Sequence, residues 1–422
     1  MAYILAIKII TPKISLISAI LIHCSVEIPF FIFPVILLRV GDNLFPNLGD
    51  LRWIGLGSLG TVGTLAAGLP SPLFGKLADN YRKGTLMLIS LIFAAFGAFI
   101  VGLLGDSYLA MLLGVALMGL SLALYHPAGL SWISIVFEDP ETHTCSSNYV
   151  RILAAHGVGG SVGSSIGPIS VFFLIDILSW RTIYLIWAIP LTLFAIAFWV
   201  LIGRHEPHSD NSTPSSIQQE QISRDQEERF SNNLQYSILF LTFIFIIAMS
   251  LTRGMINFIL APFLSEVKNF EISIAALYIG LSALIGSTGQ VVGGIFGDKY
   301  GEKAVLSFTA AFQAIILIGI FIFTDNIVLL VFYILLGVMN ALFWPSTNSL
   351  VAKNSVKRGR AFGWVMLVAN FVGALGPSID GFLRGVDPNQ YTLIFCFAIF
   401  FSLCGFISFL FLRKSNNLII EN

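Results

Sequence analysis

The sequence predicts an all-α integral membrane protein, with twelve transmembrane helices in two pseudo-symmetric six-helix bundles. Three observations carry this. Apolar residues fill 56% of the 422 positions and charged ones only 11%, against about 25% charged in a soluble domain. Such a chain cannot cover itself in water, so lipid must be its solvent. Twelve stretches reach the roughly 20 apolar residues that a helix needs to cross a bilayer: 14–38, 53–74, 85–104, 107–136, 148–174, 180–203, 236–264, 273–296, 303–324, 327–352, 361–383 and 391–412. Finally, the charged hairpin motif Gly75-Lys-Leu-Ala-Asp79-Asn-Tyr-Arg82-Lys83-Gly84 returns 219 residues later as Gly294-Ile-Phe-Gly-Asp298-Lys299-Tyr-Gly301-Glu-Lys303. Each copy follows the second apolar stretch of its half.

Between the sixth and seventh stretches lies the one long polar segment, rich in Ser, Gln, Asp and Glu and nearly free of aromatics, as a flexible linker should be. The chain therefore divides into an N-terminal bundle (1–203), a linker (204–235) and a C-terminal bundle (236–422). Lysine and arginine set the orientation. With both termini and the linker on one side, seventeen of the 23 basic residues fall there and five opposite, leaving Arg253 as the only basic residue inside an expected span. That side is the expected cytoplasmic one, with the chain in the cell (plasma or cytoplasmic) membrane. Residues 1–13 read as a cytoplasmic lead-in, since they lack a small-residue cleavage site.

Composition excludes several classes. The net charge is zero, which is not the basic footprint of a nucleic-acid binder. The four cysteines have no metal-ligand spacing, so no disulfide framework or metal centre is implied. There is no GxxxxGK[ST] loop, so ATP is not an expected energy source.

The halves echo each other beyond the hairpins. Ala123-Leu-Tyr-His126-Pro127 matches Ala341-Leu-Phe-Trp344-Pro345, and Gly163-Ser-Ser-Ile-Gly167-Pro168 in the fifth stretch matches Gly373-Ala-Leu-Gly376-Pro377 in the eleventh. Arg151 and Arg360 each stand sixteen residues before the glycine and seventeen before the proline of these pairs. Two parallel repeats of this kind build one large class of secondary transporters.

The Gly-x-Leu-Ala-Asp hairpin, its echo, the six-plus-six layout and the mid-chain linker resemble the major facilitator superfamily over nearly the whole chain. The hairpins depart from the family pattern in detail: Arg82 stands where glycine is usual, Asn80 where a base is usual and Glu302 in a basic slot, while both aspartates are kept. His23-x-x-x-Glu27, Tyr125-His126-Pro127-Ala-Gly, His156-Gly-Val-Gly-Gly and Arg253 are similar to the fosmidomycin-resistance protein group of proton-linked exporters. The fifth stretch also resembles the antiporter signature, without its closing glycine pair, since Val171 and Phe172 stand there. The resemblance implies alternating access with gating at the hairpins, and places Arg151 and Arg360 beside them.

An ionisable side chain at mid-bilayer costs roughly 2.5–3.5 kcal/mol on insertion scales, so each one present requires a reason. Glu27, one helical turn from His23, is the candidate proton-coupling site, with the imidazole as relay. The alternative is a structural Glu27 held by backbone that Pro29 or Pro34 frees. His126, His156, Arg253, Asn257, Trp344 and Asn348 are candidate substrate contacts, and Gln290 and Asn370 are further polar groups on the spans. His126 and His156 also read as histidines satisfied by local packing. Arg253 needs an anion, either Glu27 or a substrate group that suits its fork, and the two can alternate. The candidate gating residues are Gly75, Asp79, Arg82, Lys83, Gly294, Asp298, Lys299, Gly301, Lys303, Arg151 and Arg360. Asp79 should accept bonds from a helix N-terminus or an arginine. Gly159, Gly160, Gly163 and Gly167 recur at near-helical spacing and let helices approach closely.

The expected function is proton-coupled efflux, by antiport, of a small organic compound. Uptake of an anion clamped by Arg253 is the rival, and a non-transporting receptor of the same fold is the rival from another class. No enzyme activity and no cofactor are expected. The expected partners are a small-molecule substrate, protons and the lipid bilayer, with the chain acting as a monomer.

Overall fold

The computed structural model describes residues 11–137, 149–205, 233–353, 358–387 and 389–416. Every regular element among them is helical. The first half comprises α1 (Pro12–Ile32), α2 (Leu37–Leu44), α3 (Arg52–Gly68), α4 (Ser71–Asn80), α5 (Lys83–Leu104), α6 (Tyr108–Val136), α7 (Tyr149–Leu174) and α8 (Trp180–Leu201). The second comprises α9 (Asn233–Glu266), α10 (Ile272–Gly286), α11 (Thr288–Tyr300), α12 (Glu302–Ile322), α13 (Asn326–Lys353), α14 (Arg358–Gly373), α15 (Leu375–Val386) and α16 (Tyr391–Asn416). Residues 206–232 of the expected linker and the lead-in before Thr11 lie outside the described residues.

Local sequence explains the ends and the breaks. Thr11 caps α1 by accepting the Ile14 N–H at 3.3 Å, with Pro12 at the first helical position, where its missing N–H costs nothing. Ser179 caps α8 by accepting the Thr182 N–H at 3.2 Å. Eleven helical stretches among the described residues are long and apolar enough to cross a membrane. The expected stretch 53–74 does not qualify, because Pro70 cannot donate to the ladder and the second span divides into α3, 17 residues long, and α4. The eighth span breaks likewise at Ser287 (α10, α11) and the eleventh at Ala374 (α14, α15).

The charged motifs are less loop-like than the sequence suggested. Gly75 and Asp79 are helical residues of α4, and Gly294, Asp298 and Lys299 belong to α11. Only Tyr81 and Arg82 separate α4 from α5, and Gly301 alone separates α11 from α12. The Asn80 side chain extends the first helix by donating to the Lys76 carbonyl at 2.8 Å. Gly301 sits at φ +82°, a conformation that residues with a Cβ rarely adopt.

The two halves meet along two seams. The second span packs on the eleventh, α4 against α14 and α3 against α15, and α7 packs on both α10 and α11. The halves thus touch at the end carrying the charged motifs and at the opposite end, with a cavity between. Glycines permit this approach. A Cβ at Gly57 would lie 3.1 Å from the Gly381 Cα, and one at Gly75 would run into the Gly359 backbone.

Candidate functional site: a cavity shared by the two halves

The cavity has two lobes, of about 210 and 110 Å³. Phe30, Phe31, Pro34, Arg253, Asn257, Trp344 and Asn370 line both. None of the lining residues comes from α5, α8, α12 or α16, which pack behind the others. The smaller lobe is aromatic and apolar, with Phe33, Phe258, Phe343, Met118 and Met249 in its wall. The larger carries the polar groups.

At the heart of the larger lobe, His23 Nε2 lies 3.4 Å and His126 Nε2 lies 3.6 Å from Glu27 Oε1. His23 and Glu27 share a face of α1 because they are four residues apart, while His126 arrives from α6. Each imidazole is oriented from behind. His23 Nδ1 donates to the His156 carbonyl at 3.2 Å, and His126 Nδ1 donates to the Leu122 carbonyl at 2.8 Å. A carbonyl only accepts, so both rings carry a proton on Nδ1. The His156 ring stacks on His23, with centroids 4.5 Å apart. Its Nε2 is 2.8 Å from the Tyr125 hydroxyl, which itself donates to the Ala19 carbonyl at 2.5 Å. With that hydrogen committed, the phenol oxygen accepts and His156 Nε2 donates.

Close packing of α7 on α1 makes this cluster possible. Gly159, Gly163 and Gly167 lie against the Ile20, Cys24 and Ile28 carbonyls, and a Cβ at Gly160 would stand 2.5 Å from the His23 ring. Among the described residues, no hydrogen bond joins Glu27 to backbone freed by Pro29 or Pro34; its near neighbours are the two imidazoles.

Arg253 projects from α9 into both lobes, its guanidinium carbon 5.4 Å above the Trp344 ring. No described carboxylate lies within ion-pair range of it, although Glu27 shares the larger lobe. Asn257 lies one turn further along α9. On the facing wall, Asn348 Oδ1 and Gln290 Oε1 are buried without a hydrogen-bond partner. Asn340 accepts from Gln313 Nε2 at 3.3 Å, and Asn370 Nδ2 donates to the Met366 carbonyl at 3.1 Å.

Outside the cavity, Asp79 accepts the backbone N–H groups of Gly359 and Arg360, at 2.9 and 3.1 Å, from the first turn of α14. Burial pushes its carboxyl above the usual aspartate range, against the pull of those two bonds and of Lys83 and Arg360. Arg82 donates to the carbonyls of Gly203 and Arg204. Lys299 lies over the Tyr300 ring, and Lys303 is half-buried at the start of α12. Gly294 is buried and Arg151 exposed, and the Asp298 side chain lies outside the described residues.

At the opposite end stands a charged group that sequence reasoning missed. Arg384 is fully buried, so Arg253 is not the only basic residue inside a span. Arg384 pairs with Glu266 and lies 3.3 Å over the Trp53 ring of the other half. Glu266 also accepts from Tyr391 at 2.9 Å and stands 4.0 Å from Arg52, which is bonded to Asp42 at 2.6 Å. Asp380, one turn from Arg384, is fully buried with both carboxyl oxygens unbonded. The signal was present as Asp-x-x-x-Arg at the end of the eleventh stretch, but the stretch was ended at residue 383.

Comparison with known proteins agrees with this architecture. The family model described as Major Facilitator Superfamily matches residues 16–377 and 242–419. The chain is 24% identical over 363 residues to the "Multi-drug resistance efflux pump PmrA homolog" of Lactococcus lactis, covering 83% of this chain and 84% of that protein. It is 23% identical over 377 residues to the "Fosmidomycin resistance protein" of Escherichia coli, covering 85% and 84%. Among solved structures, it superposes on a D-xylose-proton symporter with a TM-score of 0.70 at 16% identity, covering 98% of both chains. It superposes on a human organic anion transporter with a TM-score of 0.67 at 16% identity, covering 96% of this chain and all of that one. Paired six-span halves, a cavity between them and these matches together establish that the chain is a transporter belonging to the Major Facilitator Superfamily.

Proposed function

We infer that the chain exports a small organic compound, anionic and in part apolar, in exchange for protons. The observation that carries this reading is Arg253: a permanent cation that faces the cavity with no carboxylate in range among the described residues, in the same cavity as Glu27 and its two histidines. A substrate anion completes Arg253, its apolar body fits the aromatic lobe, and Trp344, Asn257 and Asn348 hold its remainder. Glu27 takes the coupling proton, with His23 as relay and His126 beside it; His156 holds His23 in place. The relatives named for efflux and drug resistance favour export. The end with the charged motifs faces the cytoplasm by its excess of lysine and arginine, in the cell membrane, with both termini inside and the chain acting as a monomer. Asp79 and its partners close that end, and Arg52, Glu266, Arg384 and Trp53 close the other.

Reconstituted vesicles with an imposed pH gradient test the scheme. Flux of a labelled organic anion should run against the proton gradient and lose its dependence on that gradient in Glu27→Gln. Flux that survives the substitution unchanged removes Glu27 as the proton site. Arg253 equally favours a second reading, uptake of an anion together with protons, which predicts flux in the same direction as the protons.

A further inference from the structure

The geometry points to a binding site for one divalent transition cation, of the zinc and cobalt class, between His23, Glu27 and His126. Their ligand atoms all lie within 4.8 Å of one another. With both Nδ1 atoms committed to backbone carbonyls, the neutral form of each ring turns its Nε2 lone pair toward Glu27 Oε1. Three lone pairs converging on one point repel unless a positive charge sits among them.

The separations say which charge fits. An N–H···O hydrogen bond spans about 2.7–3.2 Å, and the observed 3.4 and 3.6 Å are longer. Zinc bonds of about 2.0–2.2 Å in tetrahedral arrangement set ligand atoms roughly 3.3–3.5 Å apart. The two imidazole-to-carboxylate separations, 3.4 and 3.6 Å, are close to such an edge, and the two imidazole nitrogens, within 4.8 Å of each other, need only a small turn of one ring to complete it. The backing is also that of a metal site, in which a ligating imidazole donates its other N–H to a carbonyl and is thereby fixed. Two imidazoles and a carboxylate leave the fourth position facing the cavity, open to water or a substrate anion. Arg253 shares that cavity and opposes a second cation, so micromolar affinity is expected, tightening when an anion covers the guanidinium. The ion would occupy the place assigned above to the coupling proton, so it would inhibit transport by competition. The binding itself depends on neither the substrate nor the direction of transport.

The test uses purified, tag-free full-length protein with Co²⁺ as a spectroscopic probe and X-ray absorption with Zn²⁺. The expected result is one ion per chain, the visible bands of tetrahedral cobalt, and a zinc shell containing two imidazoles. Affinity should fall at least a hundredfold in His23→Gln and in His126→Gln. It should persist when His143, His205 and His208 are all replaced by Asn. No binding at about 100 µM metal, a wild-type shell without two imidazoles, or binding lost only in the triple variant overturns the proposal. The wild-type absorption spectrum decides even if a single variant misfolds, and metal binding is read without any transport, so its failure is distinct from failure of the exchange scheme.

Discussion

Asp79 of the first half accepts the backbone N–H of Gly359 in the second, 2.9 Å away, and its other oxygen accepts Arg360. Two orphan donors at the start of α14 thereby find their acceptor in a different bundle. The result is a helix cap whose acceptor lies in one bundle and whose donors lie in the other. On the proposed gating scheme, the latch rests on the acceptance of these two N–H groups. Asp79→Asn should therefore keep part of the closure and Asp79→Ala lose it, at a cost of about 0.5–2 kcal/mol by analogy with other caps. The check is the labelling rate of a cysteine at Ser161 in the cavity by a membrane-impermeant maleimide added at the Asp79 end, in a background without native cysteines. The alanine variant should react several times faster than wild type, and equal rates would show that the cap is not a gate.

Arg253 should contribute as a fork and not only as a charge. Hydrogen bonds to a charged group are worth about 1.5–3 kcal/mol, equivalent to about 10- to 100-fold in affinity. Arg253→Met should raise KM for an anionic substrate by about that range, and Arg253→Lys should recover only part of the loss. KM in vesicles reads this directly. A lysine variant indistinguishable from wild type would argue for a diffuse field without bidentate contact.

Gly160→Ala places a methyl 2.5 Å from the His23 ring, so the imidazole must turn and give up its bond to the His156 carbonyl. Proton-driven flux should drop, by up to the roughly 10²–10⁴-fold that a positioned proton-transfer group contributes. Gly405→Ala, where the nearest atom would be 3.4 Å away on Met249, should leave flux unchanged. Equal effects at both positions would indicate general disturbance of packing.

The Glu266 and Arg384 pair should show in stability. Arg384 is buried while Glu266 keeps part of its side chain in contact with solvent, so Glu266→Gln should cost less than the about 3–5 kcal/mol of a fully buried pair and still lower the unfolding midpoint in detergent, because it leaves the buried Arg384 short of its anion. Glu271→Gln, at an exposed carboxylate, should change it by no more than about 0.5 kcal/mol. Matching midpoints for the two variants would show that Arg384 is held by Trp53 and Tyr391 alone.

By itself, the sequence determined the membrane class, the duplication and most of the intramembrane polar groups, though not Asp380 and Arg384. It could do so because a bilayer punishes every misplaced polar atom, which makes span length, basic-residue bias and rare charges readable one residue at a time. His23 and Glu27 were paired in advance for the same reason, since four residues on one helix fix which side chains meet. Tertiary structure alone decided what happens between helices. It brought His126 and His156 from α6 and α7 onto that pair, left Arg253 over Trp344 without a carboxylate in range, seated Asp79 on the start of α14 and assembled Arg52, Trp53, Glu266 and Arg384 at the far end. Such contacts depend on the rotation of each helix about its own axis. Where nearly every residue is apolar no sharp hydrophobic face records that rotation, and only the packing of glycines such as Gly160 against their neighbours sets it.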